Sequence, residues 1–442
     1  MESLEHRRLG LEQEFFLVDQ EGVVSGRADE FLDACHARAG VEGIDEDCFA
    51  PECVLSTVEI STPPANGLRE LEGEYLRNLR LALRAARDLE LRLYPLATYP
   101  LSIQPTLRAE PHYLAQALTM GQERFRHAGR CTGVHLHSEM PEGVLDPETG
   151  VAPETSGAAA RELLGAYNLA TALDPAIVAL TRSCPFYQGA ADGLAARTAH
   201  YRGNPDFAPH GLYAALPAVG ELRPYADTPA GLAALQMDRH RAWISTVEGS
   251  GIDSRLFETG GPLKSAWNPV RLNAQDGLQG TLELRGIDSS YPSEIVAIAS
   301  LVAACLSRVG SEGMSVLPTA GLAALEVRGG ELLVPAFERL SGSLLREAAT
   351  KGLESPEVAY YLDSVFEFAG YPSEAEGLRE AWGYRNVERE ILARLSPRSP
   401  QGARSSLGRE EGLALVRRAC DELEDQVEAS HPSEEPAQPS KV

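Results

Sequence analysis

The apolar positions of the chain keep two rhythms. Residues 8–18 predict a first strand, and strong alternation of apolar and polar side chains returns at 281–287, the period of a strand with one buried face. Residues 91–97 and 132–138 also predict strands, and 331–334 predict half of a hairpin. A helical rhythm runs through Leu68, Leu71, Tyr75, Leu79, Ala82, Ala86 and Leu89, which predicts a long amphipathic helix over 68–91. Further helices are expected from near Pro111, over 158–173, over 293–308 and after Ser341, with Asp174-Pro175 marking a break.

Between these elements lie stretches without periodicity. Residues 141–157 are rich in Pro, Glu and Gly and read as a surface loop. Residues 201–231 carry many Pro and Gly, and so long a loop in a compact domain is often functional, here a candidate cover for a site. The division expected is a principal domain over 1–395, a loop and terminal helix over 396–429, and a polar, Pro-rich disordered tail over 430–442. There is no internal repeat.

Charge narrows the partners. Asp and Glu total 64 against 40 Lys and Arg, a formal charge of −24. So acidic a chain repels nucleic acid and anionic membranes, and no basic run is long enough to reverse that. Only Lys264, Lys351 and Lys441 are lysines, so an anion clamp must be built from arginine or backbone N–H groups. The 7 cysteines form no C-x-x-C pair, which argues against a disulfide framework or zinc ribbon. The N-terminus lacks a signal-peptide pattern, and the apolar run 295–306 is too short to span a bilayer. These features predict a reduced, cytoplasmic protein.

Four short segments could carry chemistry. In Gly10-Leu11-Glu12-Gln13-Glu14, strand alternation puts Glu12 and Glu14 on one face; two solvated carboxylates are the ordinary reading of such a motif. Glu59 sits in a β-favouring apolar run, where a lone carboxylate is seldom buried without a partner. Glu52 is an odd number of residues away, so the two share a site only if Glu52 lies in a preceding loop or a bulge intervenes. His135 and His137 share one strand face and suit a metal, or simply a satisfied core. Glu283 and Arg285 share the polar face of 281–287, either as a solvated pair or as a metal ligand beside a phosphate-binding guanidinium. The marks of P-loop, dinucleotide-binding and α/β-hydrolase sites are absent. Several carboxylates gathered at one site would repel, and divalent cations resolve that conflict.

Taken in order, these segments resemble glutamate–cysteine ligase family 2, the carboxylate–amine ligases of the glutamine synthetase-like superfamily. The resemblance runs from Gly10 to about Asp288. It also takes in Gln122-Glu123-Arg124-Phe125, the stretch from Ala179 to Gly189, Ala199-His200-Tyr201-Arg202, and Trp267-Asn268 with Arg271. It implies an α+β fold, an antiparallel sheet curved into a funnel and flanked by helices. It implies ATP and Mg²⁺, with Mn²⁺ possible as the ion. Glu14, Glu52 and Glu59 would hold one metal, Glu12, His135 and Glu283 the metals bridging ATP, and Arg285 the transferring phosphoryl group. Arg202, Arg271, Tyr201 and Asn268 are the implied substrate contacts. Two departures stand out: Ser138-Glu139 where many members have Val-Gly, and one extra residue before Arg271 in Trp267-Asn268-Pro269-Val270-Arg271.

The implied reaction joins glutamate to cysteine at the expense of ATP through an acyl phosphate. The rivals are a ligase for another acid or amine, a phosphagen-type kinase that stops at phosphoryl transfer, and a non-enzymatic metal-binding protein. The amine, the pathway and the oligomeric state are not legible in the sequence.

Overall fold

The computed structural model describes residues 7–257, 261–264, 267–274, 280–370, 387–388, 391 and 406–430. Its centre is a seven-stranded antiparallel sheet: β1 (Leu9–Asp19), β2 (Phe49–Pro51), β3 (Thr57–Ser61), β4 (Leu91–Tyr94), β5 (Gly133–Glu139), β6 (Val270–Asn273) and β7 (Thr281–Asp288). The order is β2-β3-β1-β5-β7-β6, and β4 pairs with the far half of β1. The expected α+β class with an antiparallel sheet and flanking helices is the fold observed.

One face of the sheet is apolar. Leu11, Phe15, Val58, Ile60, Val134, Leu136, Leu282 and Leu284 are buried against helices Leu68–Asp88, Gly157–Thr181 and Pro292–Glu312. Each such Leu, Val, Ile or Phe contributes about 1.5–3 kcal/mol by leaving water. Gln13 is the polar exception on this face. It donates to Ser289 Oγ and the Ser290 carbonyl, both at 2.8 Å, and accepts from Tyr75. These bonds fasten β1 to the end of β7.

Three local expectations are corrected. The amphipathic helix ends at Asp88, because Glu90 takes φ 56° to turn the chain into β4. Asp174-Pro175 does not break its helix, which runs unbroken from Gly157 to Thr181. Pro175 removes one N–H, but residues 165–179 are almost wholly buried, and that packing outweighs the lost hydrogen bond. The 201–231 stretch is not structureless. It begins in a π-helical turn (Arg197–Arg202), includes the short helix Pro217–Gly220 and leads into helix Pro229–Gly249. Leu212, Tyr213 and Val219 in it are buried, and Tyr213 stacks on Trp267 at 5.2 Å.

The terminal helix Arg409–Ala429 packs on β4, where Arg92 pairs with Asp421 and Glu424, each at 2.7 Å. The expected loop 396–405 and the tail beyond Ser430 lie outside the described residues. Among the described residues two helices are long and apolar enough to cross a membrane. They are Gly157–Thr181, 89% buried over its apolar window, and Pro292–Glu312, which extends the 295–306 run and is 50% buried.

Candidate active site

The polar face of the sheet gathers the carboxylates, and register does the gathering. Glu14 on β1 stands opposite Glu59 on β3, Glu12 opposite His135 on β5, and His137 opposite Glu283 on β7. Each of these residues lies an even step from the next along its own strand, so all point the same way. Glu52 occupies the loop between β2 and β3, the placement its odd separation from Glu59 required.

His135 is the hub. Its Nδ1 lies 2.8 Å from Glu12, 3.8 Å from Glu283 and 4.0 Å from Glu59, and its Nε2 lies 3.5 Å from Glu14. Among the described residues two ligand-type triads result, Glu12–His135–Glu283 and Glu14–Glu59–His135, each with donor atoms within 4.8 Å of one another. The first is the set expected to hold the ATP-side metals. In the second, His135 stands where Glu52 was expected, while Glu52 remains a neighbour that raises the pKa of Glu59. His137 Nε2 lies 3.2 Å from Glu12, and its Nδ1 lies 3.0 Å from Thr281 Oγ.

Cations cover part of this charge. Arg285 Nη1 donates to Glu283 at 2.5 Å, and Arg271 grips the same carboxylate from Nε at 2.6 Å and Nη2 at 3.0 Å. Arg271 is thus bound to Glu283 despite the extra residue before it. Arg197 was not foreseen. Its Nη1 donates to Glu14 at 2.9 Å, its Nη2 lies 2.8 Å from His135 Nε2, its Nε donates to the Arg285 carbonyl at 3.0 Å, and its backbone N–H donates to Asp288 at 3.1 Å. Only its place two residues before Ala199-His200-Tyr201-Arg202 hinted at it. Gly133 makes room for it, since a Cβ there would overlap the Arg197 guanidinium.

The expected alternation of 281–287 is interrupted. β5 and β7 slip register between Val134–Ile287 and Leu136–Leu284, which leaves an extra residue in β7 at Arg285–Gly286. The bulge keeps Glu283 and Arg285 on the polar face and returns Ile287 to the core. A Cβ on Gly286 would sit 2.7 Å from Asp174, so glycine permits the helix to approach there.

Three implied substrate contacts are placed differently from the rest. Both Nη atoms of Arg202 bond Asp174, at 3.0 and 2.9 Å, within a buried pair that leaves no open fork for a substrate. Asn268 donates its amide to the carbonyls of Ala218 (3.1 Å) and Glu221 (2.7 Å), holding the short helix rather than presenting that amide to the sheet face. Tyr201 lies under Arg197, 4.9 Å from its guanidinium carbon, and forms part of the site's wall.

The acids divide into two electrostatic classes. Burial raises the pKa of Glu52 to about 8, with Glu14 adding to the effect, and burial followed by Glu12 raises Glu59 well above the carboxylate range. Burial opposes the charge of Glu283 and Glu12 as well, but Arg271 and Arg285 at one and His137 and His135 at the other hold both low. Burial, then Arg285, depresses His135 to about 4 and keeps it neutral. Cys53 and Cys131 are pushed up by burial and stay as thiols. This site is an oxygen-rich cage with one neutral imidazole and an arginine rim, suited to divalent cations and a polyphosphate.

Comparison with known proteins agrees with this architecture. The family profile of glutamate–cysteine ligase family 2 matches residues 8–320. A protein of Halobacterium salinarum named glutamate–cysteine ligase is 27% identical over 293 residues, 65% of this chain and 66% of its own length. A Streptomyces avermitilis protein, named as a candidate glutamate–cysteine ligase, is 27% identical over 186 residues, 41% of this chain and 44% of its own. The chain therefore spans less than two thirds of either relative. The crystal structure of a bifunctional glutathione synthetase from Pasteurella multocida shares the fold, with TM-score 0.52 and 13% identity over 96% of this chain and 53% of that one.

Proposed function

The chain belongs to glutamate–cysteine ligase family 2, and from that premise we propose that it is an ATP-dependent carboxylate–amine ligase joining the γ-carboxylate of L-glutamate to the amine of L-cysteine. The observation that carries the proposal is the convergence of Glu12, Glu14, Glu59 and Glu283 on His135, with Arg285 and Arg197 against it.

In the first step the γ-carboxylate of glutamate attacks the terminal phosphorus of ATP, a P–O bond forming as the bond to ADP breaks. In the second the amine attacks the acyl phosphate, phosphate leaves with the C–O electron pair, and the amine proton is lost. The chain need supply no covalent nucleophile, which accords with the protonated, buried thiols. Its work is positioning and fixed charge. The donor set fits Mg²⁺ and admits Mn²⁺: Glu12, His135 and Glu283 would hold one ion, and Glu14 and Glu59, with Glu52 adjacent, another. Bound there, such ions would neutralise phosphate charge and polarise the transferring group. Arg285 stabilises the phosphoryl oxygens in flight. Arg197 keeps Glu14 ionised and in place. The packed 201–231 segment helps keep water from the acyl phosphate. Seven free, buried cysteines accord with a reducing cytoplasm.

Incubation with ATP, Mg²⁺, glutamate and cysteine tests the reading. ADP, phosphate and a γ-linked dipeptide in equal amounts are expected. A stable phosphorylated acceptor, or amide formation only with another acid or amine, overturns it.

A further inference from the structure

We propose that Arg124, His127, Arg130, Tyr187 and His200 form a second binding site, for a small carboxylate- or phosphate-bearing molecule, distinct from the cluster around His135. The cluster adjoins the Arg197–Arg202 turn, where Arg197 bonds Glu14 and His200 bonds Asp192 at 2.7 Å.

At its centre three rings stack. Tyr187 stacks on His200 with centroids 3.6 Å apart and planes 9° from parallel. His127 lies nearly parallel to both, 5.8 Å from Tyr187 and 5.6 Å from His200, and its Nδ1 is bonded to the Tyr187 hydroxyl. All three rings are half-buried, so a ligand can reach them.

Its charge is unbalanced. Arg130 has neutral acceptors, the Ile103 carbonyl at 3.3 Å, Gln104 Oε1 at 3.4 Å and the Tyr187 hydroxyl. Arg124 has the Pro209 carbonyl at 3.5 Å, and its Nη1 is buried without a partner. Among the described residues neither guanidinium is in an ion pair. The nearby acids are taken, Asp192 by His200 and Glu123 by Arg126 at 2.5 Å. In a chain of charge −24, two arginines left without a carboxylate make a local positive field that draws an anion. Burial first, then His200, Arg130, Arg124 and His210, hold His127 down to about 4, as expected of an imidazole among uncompensated cations. A planar guanidinium matches carboxylate or phosphate oxygens, and the stacked rings supply a flat apolar contact.

The test uses the full-length, metal-free protein with its histidine rings followed by NMR during titration with inorganic phosphate or malonate. At least one anion should move the His127 and His200 resonances saturably, and the preferred anion reports whether the natural ligand carries phosphate or carboxylate. The double variant Arg124→Gln/Arg130→Gln should weaken that binding ~10-fold or more, as loss of two charge-assisted contacts requires. The milder Arg130→Lys, if the double variant does not fold, should weaken it measurably. Shifts confined to His135 and His137, no saturable shift with either anion, or unchanged affinity in a folded variant would each overturn the proposal. None of these outcomes depends on the ligase reaction.

Discussion

Glu14 and Glu59 are direct partners on adjacent antiparallel strands, two carboxylates side by side on a buried sheet face. Like charges so placed are destabilising. Arg197 and the Gly133 N–H, at 2.9 and 2.7 Å, attend Glu14 alone, so Glu59 keeps the raised pKa. Metal-free protein should therefore be less stable than protein with metal, in a manner set by pH.

The sign follows from linkage. Glu52, raised to about 8, keeps a proton in the folded state that the unfolded chain releases near ~4.3, so its contribution to stability is complete below that value and lost as pH rises to about 8. His135, lowered to about 4, acts oppositely: stability rises with pH until the unfolded histidine deprotonates near ~6.5, then stays level. From about pH 6.5 to 8 the His135 contribution is level while that of Glu52 is being lost, and Glu59 and His137, both raised, add to that loss. In a chelator, melting temperature should fall from about pH 6.5 to 8. Glu52→Gln should flatten the fall, and Mg²⁺ should abolish it. Melting curves indifferent to both pH and Mg²⁺ would refute the assignment of this cluster to cations.

Glu14→Gln and Glu59→Gln should each lower turnover ~100-fold or more by removing a charged ligand; Glu59→Gln should leave the apo fold as stable or more so, whereas Glu14→Gln takes the counter-charge from the buried Arg197 and should destabilise it. Steady-state rates at saturating Mg²⁺, beside apo melting curves, check this. Near-normal rates in both variants would remove Glu14 and Glu59 from the metal set.

Glu283 and Arg285 should fail differently. Glu283 holds Arg271 and Arg285 besides facing His135, so Glu283→Ala should raise the metal requirement and depress kcat together. Arg285→Lys keeps the charge but loses the planar fork, so kcat should fall ~10²-fold with ATP affinity nearly intact, the mark of a contact made in the transition state. A change confined to the KM for ATP would move Arg285 away from the phosphoryl group.

Arg202 should behave as a structural residue. Asp174→Asn leaves a buried guanidinium without its counter-charge and should destabilise the fold by about 3–5 kcal/mol, measured by urea unfolding. Arg202→Met/Asp174→Leu, which removes both charges, should recover much of that stability together with near-native KM values for the substrates. Recovered stability with a KM for glutamate raised ~100-fold would restore Arg202 to the substrate.

Strand periodicity by itself put Glu12 with Glu14, and Glu283 with Arg285, because side-chain direction in a strand depends only on the parity of the spacing. Helical spacing likewise marked the core face of Leu68–Asp88. What brought Glu59, His135 and Glu283 to Glu12 and Glu14 was the strand order β3-β1-β5-β7, set by the packing of the whole sheet and invisible to local pattern. The same holds for the arginines. Arg197 and Arg202 ride one π-helical turn five residues apart, yet one bonds Glu14 and the other Asp174. Their residue type is identical and their sequence setting nearly so. Only the surfaces packed on either side of the turn, a carboxylate-lined strand for one and a helix interior for the other, decided which of them meets the site.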